Sequence, residues 1–230
     1  MTPIFQNDTP ITLVGGGDVG SEDLKLALSI APNCIAADGG SIVALAAGIE
    51  LEAVIGDFDS LNSSVLSQVP VERQYRILEQ NSTDFDKCLR NIDTPVVVGV
   101  GFLGGRVDHQ MAAMHTLVVR ADRPCVLLGP YEIVFNCPAQ IELPTQVGDV
   151  VSLFPMAEMK GTSGGLEWPI DGLVLAPGER VGTSNCATGA VNLKMPRPGM
   201  LCILPRRMLG EITQTLATMP DHLKWPARVK

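Results

Sequence analysis

The sequence predicts an α/β fold: an N-terminal open, mostly parallel α/β sheet domain followed by a C-terminal all-β sandwich domain. Three observations carry this. Short runs that are apolar throughout alternate with helical patterns over residues 11–130, as in a parallel sheet covered on both faces. From about residue 131 the runs stay short and apolar, but Gly and Pro punctuate them as in a sandwich or small barrel. The 230 residues suit one large or two small domains, with no repeats and no low-complexity linker. The division is placed at 1–132 and 133–230.

The elements read in order. "ITLV" is a strand and "SEDLKLALSIA" its helix; "CIAA" is followed by "GGSIVALAAGI", and "AVI" by a polar helix. In "NSTDFDKCLR", residues 81–90, Ser82 or Thr83 can cap a helix whose Phe85, Cys88 and Leu89 form an apolar stripe. "PVVVGVGF" precedes the helix "VDHQMAAMHTLVV", where His115 continues a stripe with Met111 and Val118, and "CVLL" closes the series. The second half reads as the strands "EIVFNC", "QIELP", "DVVSLFP", "GLVLAPG", "AVNLKM" and "MLCILP". The tail "DHLKWPARVK", with Trp225, reads as charged and frayed.

Composition narrows the function. A net charge of −8 without a long basic run disfavours nucleic acid and acidic membrane surfaces. Any phosphate must then be held locally, by a few Lys or Arg and a metal ion. Six scattered cysteines form no Cys-x-x-Cys pair or zinc-spaced cluster and read as reduced core thiols. The start "MTPIFQNDTP" does not read as a signal peptide, and no apolar run reaches membrane-spanning length, so a cytoplasmic protein is expected.

Polar residues gather where the first-half strands end: Asp18, Asp38, the pair Asp57 and Asp59, and then Arg106 and Asp108. The carboxyl ends of an open parallel sheet form its ligand crevice. One acid after a strand is usually a cap or turn residue; several strands ending this way exceed what capping requires. Gly15, Gly17 and Gly20 spell G-x-G-x-x-G, with Asp38 near the distance of a ribose-binding acid. A dinucleotide site would leave Asp57, Asp59, Asp84 and Asp108 without work, so the loop reads as a phosphate-approaching backbone or a tight turn. Asp57 and Asp59 flank one Phe, and such a pair costs free energy unless a cation or protons neutralise it. Mg²⁺ takes oxygen ligands from carboxylates and phosphates. Asp57, Asp59 and Asp84 can supply the carboxylates; Lys87, and Arg106 with its planar fork, can neutralise a polyphosphate. Walker and protein-kinase loops are both missing from the sequence. Asp84 and Lys87 also admit a plainer reading as a surface ion pair, and His109 is ambiguous.

"AADGG", "IGDFDS", "QNSTDFDKCL" and "GFLGGRVDH", followed by "GLEW" and "GTSN", resemble the thiamine pyrophosphokinase family from about residue 11 to 205. The resemblance implies a homodimer with an α/β domain and a β-sandwich domain. It implies transfer of pyrophosphate from ATP to the hydroxyl of thiamine, giving thiamine diphosphate and AMP. Asp57, Asp59 and Asp84 would hold Mg²⁺ and, with Arg106, form the catalytic set. Asp38, Lys87, Arg106 and Asp108 would lie at the ATP. Trp168 would stack on thiamine, with Ser184 and Asn185 at the pyrimidine edge, facing the carboxylates of the other subunit. Two other readings remain: another Mg²⁺-dependent nucleotide transferase using Asp57-Phe58-Asp59 as a D-x-D site, and a non-catalytic thiamine or nucleotide sensor.

Overall fold

The computed structural model describes residues 3–227; the outermost residues of both predicted domains lie outside that range. The elements are β1 (Phe5–Gln6), β2 (Ile11–Val14), α1 (Ser21–Ile30), β3 (Asn33–Ala37), α2 (Gly40–Ala46), β4 (Ala53–Gly56), α3 (Ser63–Leu66), β5 (Gln74–Arg76), α4 (Asp84–Asn91), β6 (Ile92–Asp93), β7 (Val97–Val100), α5 (Val107–Val119) and β8 (Cys125–Leu128). Strands then dominate: β9 (Glu132–Asn136), β10 (Gln140–Leu143), β11 (Val150–Pro155), β12 (Thr162–Leu166), β13 (Gly182–Lys194) and β14 (Met200–Pro205), before α6 (Leu209–Ala217).

Six strands run parallel in the order β5-β4-β3-β2-β7-β8. Successive residues of a strand point to opposite faces, which is why these runs are apolar throughout. Val14 and Ala36 pack with Leu24 and Ala27 of α1 and Ala44 of α2. Their neighbours Leu13 and Ile35 pack on the other face with Phe85, Cys88 and Leu89 of α4 and Leu117 of α5. The stripe expected in α4 is therefore its core face, and Thr83 caps it by accepting the Asp86 N–H at 3.3 Å. Burial holds the Cys34 and Cys137 thiols at about 12, so neither is an accessible nucleophile.

The second half joins this sheet. β9 pairs antiparallel with β8, and β14, β11 and β13 follow. The long β13 serves several ladders: Gly182 to Cys186 lie against β11, while Val191 to Lys194 lie against β10, and β12 also pairs with β13. The result is one mixed α/β sheet of twelve strands. Four expectations change. "GLVLAPG" is not a strand, because Gly172 and Gly178 turn the chain at φ +75° and +77° and leave Leu175 only an isolated bridge to Met159. The polar helix after β4 is a single turn. His115 is exposed, because α5 turns Ala113, Thr116, Leu117 and Val118 inward instead. Trp225 is half-buried, its indole N–H donating to the Cys137 carbonyl at 2.8 Å, so the chain is docked there and not frayed. β12, "TSGGL", was not anticipated: its glycines carry no strand signal, and Gly165 sits at φ +77°.

Candidate functional site

The carboxyl ends of the parallel strands share one edge of the sheet. From β2 the chain moves outward through β3, β4 and β5, then returns to the other side of β2 with β7 and β8. The switch point lies between β2 and β7, where the loops part and a crevice opens. A cleft of about 420 Å³ lies there, lined by Asp18, Gly20 and Asp23 after β2, Gly101 and Gly104 after β7, and Gly129 and Pro130 after β8.

Next to it, at the ends of β3 and β4, stand the carboxylates. Asp38, Asp57 and Asp59 each bring an oxygen within 4.8 Å of the others. Local backbone produces this. Asp38 (φ +40°) and Phe58 (φ +66°) are both left-handed, a costly state for residues with a Cβ. The Asp38 carboxylate accepts the Phe58 N–H at 2.9 Å and so holds the turn that presents Asp57 and Asp59. Gly56 is required for this approach, since a Cβ there would fall 2.7 Å from that of Asp38. Asp57 also accepts from Gln80 at 3.2 Å, and its backbone carbonyl from Arg76 at 2.9 Å.

Lys87 is nearly inaccessible, at 1% exposure, and lies beneath this group. It donates to Asp57 at 3.0 Å and to Asp84 at 2.9 Å. Burial disfavours its charge, but the two carboxylates more than offset this and its pKa rises. Burial likewise pushes Asp57 up, yet the bonds from Lys87, the Asp59 N–H and Gln80 leave it lowered. At Asp84 burial, aided by the charges of Asp57 and Asp38, outweighs Lys87, and the pKa is raised. Asp84 thus reaches the cluster through Lys87 rather than joining it directly. An all-carboxylate oxygen set suits a hard divalent cation such as Mg²⁺.

The glycine loop is a tight turn. The Gly15 and Gly17 N–H groups donate to the carbonyls of Val100 and Gly101, at 2.8 and 3.0 Å, so they are not directed at a ligand. Arg106 and Asp108 sit at the start of α5, bonded to each other at 3.1 and 2.6 Å. Both are exposed, and the guanidinium beside Asp108 holds its carboxyl at about 2.

A second group forms in the β half. Asn185 is buried, and its side chain clamps the Trp168 backbone, accepting from its N–H at 3.2 Å and donating to its carbonyl at 2.6 Å. Asn185 also accepts the Cys186 N–H at 2.9 Å, so most of its amide is engaged in fixing Trp168. Trp168 as a residue is 59% exposed. Ser184 is exposed at φ +59°, its N–H donating to Ser152 Oγ at 2.9 Å. The structure brings these three together but not to the carboxylates: β13 and β4 lie eight strand positions apart in the sheet. At about 4.8 Å per step that is about 40 Å along the sheet.

Sequence reasoning gave no role to Gln80, although it opens the quoted "QNSTDFDKCL". Arg76 left no signal, because its partner Asp57 is distant in the chain.

Two family models match the chain: "Thiamin pyrophosphokinase, catalytic domain" over residues 24–127, and "Thiamin pyrophosphokinase, vitamin B1 binding domain" over 139–198. Among curated proteins, thiamine pyrophosphokinase 2 of Oryza sativa subsp. japonica is 30% identical over 154 residues, 58% of this chain and 57% of its own length. Thiamin pyrophosphokinase 1 of Caenorhabditis elegans is 26% identical over 153 residues, 59% of this chain and 62% of its own. The match therefore spans about three fifths of those relatives. The fold resembles the solved thiamin pyrophosphokinase of Geobacillus thermodenitrificans, with TM-score 0.69, 22% identity and coverage of 86% of this chain and 97% of that one. It also resembles the yeast structure, with TM-score 0.70, 16% identity and coverage of 93% and 90%.

Proposed function

Because the chain belongs to the thiamin pyrophosphokinase family, two of whose models together cover more than half of it, we propose that it transfers pyrophosphate from ATP to the hydroxyl of thiamine. The products are thiamine diphosphate and AMP. The observation that carries this is the Asp38, Asp57 and Asp59 cluster beside the switch-point cleft.

In this reading the nucleotide lies in the cleft with its phosphates toward the carboxylates. Asp38, Asp57 and Asp59 would hold Mg²⁺, which would supply neutralisation of phosphate charge there, and Asp84, expected as a third ligand, would act through Lys87. Lys87 sets the charge and position of Asp57 and Asp84 from beneath, and Asp38 holds the turn that carries Asp57 and Asp59. Arg106, at the surface, exchanges Asp108 for phosphate oxygens, the same planar fork serving either anion. The thiamine hydroxyl oxygen attacks the β-phosphorus and gives up its proton to water, while the bond from that phosphorus to the oxygen bridging it to the α-phosphorus breaks and AMP departs with the electron pair. Positioning contributes more than base catalysis.

Trp168 stacks on the cationic vitamin, Ser184 offers its hydroxyl to the pyrimidine edge, and Asn185 holds the tryptophan in place. The separation along the sheet supports a homodimer in which the tryptophan of one subunit serves the carboxylates of the other. Residues 1–132 are then the catalytic domain and 133–230 a β-sandwich closed through β13. The buried reduced thiols support a cytoplasmic location; among the described residues no helix is long and apolar enough to cross a membrane. The test is incubation with ATP, Mg²⁺ and thiamine, followed by identification of both products. Thiamine diphosphate with AMP is expected; ADP, or no modified thiamine, overturns the reading.

A further inference from the structure

Arg206 immediately follows the last strand, β14, yet its side chain ends at the other half of the molecule. Nη2 donates to Asp23 Oδ1 at 2.6 Å, 183 residues back in sequence, and Nη1 to the carbonyls of Gly129 and Pro130 at 3.3 and 3.2 Å. Asp23 in turn accepts the Gly20 N–H through Oδ2 at 3.1 Å. Gly20, Asp23, Gly129 and Pro130 all line the switch-point cleft, whereas Arg206 stands behind them. One guanidinium from the β half thus ties the wall after β2 to the wall after β8. Its side chain and that of Asp23 are only 28% and 24% exposed.

We infer that Arg206 is a positioning residue for the nucleotide: it fixes two walls of the cleft and neutralises Asp23 so that a polyanion can enter. Asp18 and Asp23 both line the cleft. Without Arg206 the Asp23 carboxylate would add an uncompensated charge to that of Asp18 and face a ligand of its own sign, and like charges across a contact are costly. The planar fork serves three acceptors on two segments, which a lysine cannot reproduce. The effect falls on nucleotide binding, because none of these atoms belongs to the carboxylate cluster where the reaction is placed. The inference rests on reading the cleft as the nucleotide site.

The test compares Arg206→Ala, Arg206→Lys, and Arg206→Ala combined with Asp23→Asn by calorimetric binding of Mg·ATP and by steady-state kinetics. Arg206→Ala is expected to weaken ATP binding about tenfold and to raise the KM for ATP equally, with kcat and the KM for thiamine within about twofold. Arg206→Lys is expected to fall in between, and adding Asp23→Asn to Arg206→Ala to recover part of the loss. Wild-type ATP affinity in Arg206→Ala overturns the inference, as does a fall in kcat alone, the mark of a merely structural role. If Arg206→Ala does not fold, Arg206→Lys decides by the same KM criterion. Should the wild-type protein bind ATP without making thiamine diphosphate, the proposed activity fails while the assignment of Arg206 stands on the binding data. Should it make the product while the variants bind ATP normally, only the inference fails, and no ATP binding at all sinks both.

Discussion

The molecule holds two ion pairs of similar length and opposite character. Lys87 with Asp57, at 3.0 Å, has side chains 2% and 10% exposed; Arg106 with Asp108, at 2.6 Å, has side chains 71% and 64% exposed. Distance alone would rank the second as stronger. Burial reverses the order, since water and salt screen the exposed pair while the buried one cannot lose a partner without leaving an unpaired charge. The buried pair is therefore a fixed part of the framework. The exposed pair is a reserve of charge that a ligand can recruit at little cost.

The largest expected effect comes from breaking the buried side. Lys87→Met keeps the length but leaves Asp57 and Asp84 without their cation, and should lower unfolding free energy by about 3–5 kcal/mol in urea titrations. Its pH dependence follows from the directions of the shifts. Asp57 is depressed from its ordinary 3.8, so its contribution is present above that value and lost as pH falls through the depressed one. Lys87 is raised from 10.5, so its contribution is present below 10.5 and lost as pH rises through the raised value. Asp84, raised from 3.8, opposes Asp57. The gap between wild type and Lys87→Met should be flat near neutrality and close at both extremes. A gap that is unchanged at pH 3 would contradict the pairing.

Asp57→Asn sharpens the comparison by separating fold from chemistry. It leaves Lys87 paired with Asp84, so the circular dichroism spectrum should match wild type while turnover falls at least about a hundredfold at saturating Mg²⁺. On the exposed side Arg106→Lys should cost about tenfold in turnover or in ATP affinity, because the bidentate fork is lost. Its urea midpoint should match wild type, and a shift as large as that of Lys87→Met would make the two pairs alike. The smallest effect is a recovery. Mixing Asp57→Asn with Trp168→Ala subunits should restore about a quarter of wild-type activity, since random exchange makes half the dimers mixed and each has one intact site. No recovery after verified exchange would show that a single chain builds each site.

The grouping of Asp57 with Asp59, and of Asp84 with Lys87, was legible in the sequence because it is local. Asp57 and Asp59 share one turn, and Asp84 and Lys87 one helical turn, so spacing alone brings them together. What escaped was set by tertiary contact. The burial of Lys87 depends on β4 lying over α4. The occupation of Asn185 by Trp168 depends on the turn between β12 and β13. Gly15 and Gly17 could be read as a phosphate loop until Val100 and Gly101 took their N–H groups. The α5 stripe failed for a related reason: Met111 and His115 are periodic with Val118, but the helix is rotated so that Ala113 and Leu117 face the core.

The ladder of β8 with β9 pairs Val126 with Phe135, Leu127 with Val134 and Leu128 with Ile133. The peptide bond between residues 132 and 133 consequently falls inside β9, and the division seen in sequence is a seam running through continuous hydrogen bonding. A polypeptide ending at 132 would bare the apolar edge of β8, and one beginning at 133 would bare that of β9. Each is a template for self-association. The two halves should neither be expressed apart in soluble form nor melt apart, and calorimetry of the whole chain should record one cooperative transition.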